Sequence, residues 1–310
     1  MIKRSLSSAV LLVGQVLPLV VGLLAGAGCS SDTNPGSGGT TLEGPVRLNW
    51  FHTSLTGGDP AAAPNPHEVK QAVASDGVNF TDAVTIFSAN DLVDPDVFPL
   101  VDGSGFGLLY TATNQVKYAF STTVDGTYSE VGGVVTSGGQ SATITSGGAL
   151  LSFITGVSSF PLTASASGAS ITGSVSPAVV ISASTLGYPS GIVGDPTVIE
   201  LSDGSFRAYV KYAEAGAQPF SHAIWTVTSS DLQNWGNPTL VREASSVPGA
   251  IRVGDQVALY FVDFSGELSE SGSLGVGISE DGGATFEFTS VQLDGEAITG
   301  AYDPAPMAAE

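Results

Sequence analysis

From about residue 45 onward, short apolar runs alternate with clusters of Gly, Asp and Ser, and no long stretch keeps a helical period. The pattern predicts strands. Five of the runs look alike: "VRLNWFH" from Val46, "FGLLYTA" from Phe106, "ALLSFIT" from Ala149, "FRAYVKY" from Phe206 and "VALYFVD" from Val257. Their starts lie 60, 43, 57 and 51 residues apart, a period that suggests repeated units of about fifty residues.

Each run is followed by a second strand pattern and a turn that leads into an aromatic or aliphatic residue. The turns are "ASDGVNF" (74–80), "TTVDGTY" (122–128), "SASGASI" (165–171), "SSDLQNW" (229–235) and "SEDGGATF" (279–286). The last fits the Asp-box pattern, in which a carboxylate accepts turn N–H groups, Gly takes positive φ and the aromatic wedges beneath the hairpin. That role is structural and does not by itself mark an enzyme.

A third element precedes four of the runs: "DPDVFPL" (94–100), "QSATITS" (140–146), "DPTVIEL" (195–201) and "VPGAIRV" (247–253). No copy precedes Val46, but "DPAPM" stands at 303–307, near the C-terminus. A C-terminal strand that completes the first unit would close a ring and cover an open edge. The expected fold is therefore all-β: a five-bladed β-propeller, four strands per blade, closed by strands from both chain ends. Its third unit is the poorest match, and residues 131–194 hold no Asp, Glu, Lys, Arg or His.

The start of the chain reads differently. Lys3 and Arg4 precede a long apolar run that ends in "GAGC" at Cys29, the layout of a secretory signal. "GAGC" resembles a bacterial lipobox with Gly26 in place of the usual Leu. The expectation is a lipoprotein signal peptide at 1–28, lipidation of Cys29 and a flexible Ser/Gly-rich tether at 29–44, with the propeller at 45–310. Plain secretion and a membrane anchor are the alternatives. Lipidating the single cysteine removes disulfides, cysteine catalysis and thiolate metal sites. Ser30 points to the outer membrane of a bacterial envelope.

Without its first 28 residues the chain carries 7 basic and 29 acidic residues, a net charge of −22. Such a surface repels phosphate backbones, so nucleic acid is excluded as a partner. Oligomeric state has no sequence signal.

The combination of "DP" opening an inner strand, "DG" in the next turn and "SSDLQNW" on an outer hairpin resembles the five-bladed glycoside hydrolases of family 43, with families 32 and 68 related. The resemblance spans most of residues 45–307 and implies a poly- or oligosaccharide ligand at one mouth of the central channel. It implies Asp94 as general base and Asp195 as the aspartate that tunes and orients the acid, with Asp303 and Asp96 as further contacts. The acid would be a Glu before the next inner strand. Here the stretch is "EASSVPGAIRV", Ser246 takes that place, and Glu243 lies three residues upstream as a substitute.

Each candidate has a plainer reading. An Asp before Pro is expected in extended geometry, capping its own turn at a strand start. His52 and His222 fall on expected strands and His67 in a Pro-rich loop, without metal-ligand spacing. No cofactor is implied, although a calcium or sodium ion among Asp94, Asp195 and Asp303 suits oxygen ligands. Trp50, Trp225 and Trp235 read as core, and Arg207 and Arg252 do not form a sialidase-like arginine cluster. Three functions stay open: a glycosidase, a catalytically degenerate glycan binder, and a propeller for protein contacts in the envelope.

Overall fold

A computed structural model of the chain describes residues 40–53, 66–137, 140–145, 148–153, 156–171, 178–214 and 216–309. The signal peptide, Cys29 and the tether up to residue 39 lie outside them. Within the described residues the chain forms five antiparallel blades.

Blade I is built from both chain ends. Its inner strand is Ala301–Ala308, followed outward by Val46–Thr53, Pro66–Ala74 and Asn79–Asn90. Blade II runs outward as Leu92–Pro99, Phe106–Ala112, Gln115–Ser121 and Ser129–Ser137. Blade IV is Ile192–Glu200, Phe206–Ala213, Ala223–Ser229 and Gly236–Glu243, and blade V is Ser245–Val253, Gln256–Asp263, Ser273–Ser279 and Glu287–Ser290. The inner strands touch in sequence around a ring, and the last meets Ala301–Ala308 to close it.

Blade III departs from the expected repeat. Its strands are Gln140–Thr145, Gly148–Phe153, Gly156–Phe160 and the three-residue Val179–Ile181. The turn read at 165–171 does not join its two outer strands. It belongs to a separate hairpin, Leu162–Ser165 with Gly168–Ile171, whose apolar residues pack on the seam between blades II and III.

Each of the five seams between blades is filled by its own apolar cluster. This explains why the second strands resemble one another. They are buried on both faces, so Leu108, Leu109 and Tyr110 are consecutive and all at most 1% exposed. A sheet with one wet face would alternate instead. Burying such runs at roughly 25 cal/mol per Å² is the main force holding the ring together.

The outer turns behave as their residues demand. Asp281 accepts the N–H groups of Ala284 and Thr285, both at 2.9 Å, and the Thr285 hydroxyl at 2.7 Å. Burial pushes this carboxyl up, but those donors and Ser279 hold it well below the usual range. Asp231 and Asp76 accept turn N–H groups in the same way, and Phe80, Trp235 and Phe286 pack into the adjacent seams.

Three smaller expectations change. His67 lies not in a loop but in the strand Pro66–Ala74, buried and stacked on Phe51. His222 caps a short 3-10 turn, Pro219–Ser221, just before a strand. Leu42, in the segment read as tether, is 4% exposed and packs in the seam between blades I and V.

Candidate functional site

Near the start of four inner strands the ladder skips a pair of residues. The register breaks between Val93 and Asp96, Gly194 and Thr197, and Ser246 and Gly249, and opposite Trp50 on the closing strand. The skipped pairs are Asp94-Pro95, Asp195-Pro196, Val247-Pro248 and Asp303-Pro304. Proline has no N–H to give a ladder, so a bulge accommodates it where a regular rung does not.

The residue before each proline is left-handed, not extended. Asp94, Asp195, Val247 and Asp303 have φ of +51°, +48°, +49° and +50°. The sequence expectation of extended geometry is thus corrected, and the bulge is the reason. Aspartate tolerates this region better than most residues, whereas a β-branched Val there is an outlier that the fold must hold in place. The kink aims the three aspartates into the channel.

The channel is a cavity of about 480 Å³ lined by all four skipped pairs and by the inner strands below them. Asp96 lines it two residues beyond Asp94. Around its aspartate end, blade I contributes Asp303, blade II Asp94 and blade IV Asp195, while blade V contributes Val247.

The carboxyl groups perturb one another. The Asp94 backbone N–H donates to Asp303 Oδ2 at 3.0 Å. Burial, then the charges of Asp303 and Asp195, push the Asp94 carboxyl well above its ordinary range. Burial and the Asp195 charge push Asp303 up to about 6. The two carboxyls titrate as a coupled pair, and burial together with the surrounding negative charge raises both above the ordinary carboxylate range.

Asp195 is ion-paired with Lys211 Nζ, the two side chains being 15% and 20% exposed. Burial works against the ammonium charge of Lys211, but the Asp195 carboxylate outweighs it and raises the lysine. Lys211 was not anticipated from sequence, although a signal existed. It faces Gly194 across the ladder, and the same rung in blades II, III and V is filled by Thr111, Ser152 and Val262. One charged residue at an otherwise uncharged repeat position is the mark that could have found it.

Glu243 ends the outermost strand of blade IV, is exposed and pairs with Ala223. Three strand spacings separate it from the Asp195 strand, about 14 Å. It is not among the residues lining the channel. Ser246 is 3% exposed and meets His222 Nδ1 at 3.1 Å. Among the described residues no group of three or more Asp, Glu, His or Cys has the arrangement to hold a metal ion.

The fold and site define a five-bladed propeller with three aspartates converging at one end of its channel and a lysine paired with one of them. No family model matches the sequence, and no curated protein does. Solved structures do. The exo-1,5-α-L-arabinanase from a bovine ruminal metagenomic library is 11% identical, with 80% of this chain and 98% of that one covered at a TM-score of 0.54. The endo-arabinase of Bacteroides thetaiotaomicron is 14% identical over 66% of this chain and 80% of that one, with a TM-score of 0.49. The native Bacillus subtilis arabinanase is also 14% identical, with 71% and 87% covered and a TM-score of 0.49. At 11% identity the likeness to the metagenomic arabinanase shows a shared fold alone.

Proposed function

We propose that this protein is a carbohydrate-active propeller that takes a poly- or oligosaccharide at the aspartate end of its channel. The observation that carries this reading is the convergence of Asp94, Asp195 and Asp303, from three separate blades, on one cavity of about 480 Å³. Sugar hydroxyls are donors, and partly buried carboxylates are strong acceptors. The metagenomic arabinanase that shares the fold is named for a polysaccharide, which adds weight to the sugar class.

Binding is the activity for which the needed groups are present. Hydrolysis also requires a proton donor and a second carboxyl group across the sugar ring, with separated pKa values. The resemblance gives the donor's place to Ser246, and Glu243 stands outward on the rim. Burial and its neighbours raise the Asp94 carboxyl, but the Asp303 carboxylate coupled to it accepts the Asp94 N–H and so stands beside it, not across a sugar ring.

The test is a panel of neutral oligosaccharides offered to the soluble propeller, with binding and product formation both followed and Asp195→Asn alongside. Binding weakened by Asp195→Asn, without products, is expected. Products that depend on Asp195 would make the protein a hydrolase, and absence of both binding and products would leave a propeller for protein contacts.

The same proposal places the propeller in the bacterial envelope, lipid-anchored through Cys29, with secretion as the alternative. Labelling cells with a fatty-acid analogue should mark the wild type and not Cys29→Ala.

A further inference from the structure

The seam between blades IV and V carries a set of polar groups that the glycan reading does not use. Lys211 pairs across the ladder with Ile224, and side chains alternate along a strand. Lys211, Ile224 and His222 therefore stand on one face of blade IV. Ile224 packs with Val257, Leu259 and Phe261, so that face looks at blade V. There His222 meets Ser246, the second residue of blade V's inner strand, at 3.1 Å. The His222 carbonyl also accepts the Ser245 N–H at 3.2 Å, so the turn is tied to the same strand.

The charged surroundings of His222 are defined element by element. The charges of Lys211, on the second strand of blade IV, and of Asp195, on its inner strand, both act on it. The backbone carbonyl of Ala217, just before that turn, is a further partner. On the outer strand, Arg242 is turned to Asp263 and Glu267 of blade V, and Glu243 is exposed. From the inner strand of blade V the uncharged Ser246 meets the ring, and Arg252 lies at the other end of that strand. Burial, then the Lys211 charge, keep the imidazole below its ordinary range, against the pull of Asp195.

We propose that His222 is a positioning residue: held by Ser246 as a neutral ring, it lets Lys211 stay on Asp195, and its protonation loosens that pair and with it the glycan site. The serine hydroxyl serves either state of the ring, because it both donates and accepts. Only the charge changes. An imidazolium beside the Lys211 ammonium competes for the one carboxylate that both face. This inference rests on the glycan reading for its consequence, but not for its first test.

That test is an NMR titration of His222 in the intact propeller. Lys211→Met should raise the midpoint by about 1 pH unit, the usual effect of removing a like charge nearby. An unchanged midpoint would overturn the proposal whether or not any sugar binds. The second test follows oligosaccharide affinity from neutral pH into acid. Wild type should lose affinity across the His222 titration, and His222→Gln should remove that part of the loss while retaining affinity at neutral pH. Ser246→Ala should shift the profile and Ser246→Thr restore it. Identical profiles for wild type and His222→Gln would overturn the proposal. If no sugar binds to any variant, the glycan reading fails by itself and the NMR titration still decides the role of His222.

Discussion

The backbone N–H of Asp94 donates a 3.0 Å hydrogen bond to the carboxylate of Asp303, although the two residues are 209 positions apart in the chain. The contact joins blade II to the strand that closes blade I. The site is thus complete only when the ring is closed, because its third carboxyl group arrives on the last strand.

This arrangement sets a pH dependence. Asp303 rises from an ordinary 3.8 to about 6 on folding, so the folded protein binds more protons than the unfolded chain between those values. The associated stability is full below about 4 and is lost as pH rises through about 6. Asp303→Asn removes the charge and keeps an acceptor for Asp94. Relative to wild type, it should gain about 2 kcal/mol as pH goes from 4 to 7. Urea unfolding at a series of pH values measures this, and parallel curves for the two proteins would contradict it.

The Lys211–Asp195 pair is expected to show strong coupling. Asp195→Asn strands a mostly buried ammonium and should cost about 2 kcal/mol. Lys211→Met alone strands the carboxylate at a similar cost. The double variant should recover most of the loss, so a double-mutant cycle should give a coupling of at least about 1 kcal/mol. Simple additivity of the two losses would show that the pair is not a unit.

Gly283 illustrates a glycine required by close approach. Its φ is +85°, and a Cβ there would lie 1.9 Å from the Tyr209 hydroxyl, which itself donates to the Gly283 carbonyl at 3.1 Å. Gly204 has a similar φ of +79° with nothing within 4 Å. Gly204→Ala should cost about 1 kcal/mol from backbone strain alone, and Gly283→Ala about 3 kcal/mol. Equal losses in thermal or urea unfolding would mean that the Tyr209 contact yields freely.

Arg242 links blade IV to blade V. Its guanidinium reaches Asp263, which is fully buried, at 3.3 Å and lies over the rings of Phe261 and Phe288. Arg242→Met removes the charge and keeps much of the packing volume, so its cost of about 3 kcal/mol should come from the carboxylate left behind. Asp263→Asn in the same chain should recover a large part of it. If the single variant Arg242→Met unfolds at the same urea concentration as wild type, the assignment is contradicted.

Much of the architecture was legible in the chain because a propeller repeats one local problem five times. Strands buried on both faces must read as unbroken apolar runs, so "FGLLYTA" and "VALYFVD" announce second strands wherever they fall. The displaced "DPAPM" likewise declared how the ring closes, since an inner strand absent at one end and present at the other leaves one arrangement. Blade III was misread where its sequence holds no charges and Gly and Ser recur throughout, so with no Asp to mark the outer turn the hairpin around 165–168 passed for it.

The candidate site divides along the same line. By itself the sequence placed Asp94, Asp195 and Asp303 near the starts of inner strands, because Asp-Pro interrupts a ladder through covalent constraints local to two residues; the strands themselves begin two or three residues earlier. Only the tertiary structure decided that those residues are left-handed at bulges, that the Asp94 N–H donates to Asp303, that Lys211 pairs with Asp195, and that His222 meets Ser246. Those facts depend on which strands become neighbours and which faces meet across a seam. Distances between blades, and the burial that makes a charge costly, exist only after the ring has closed.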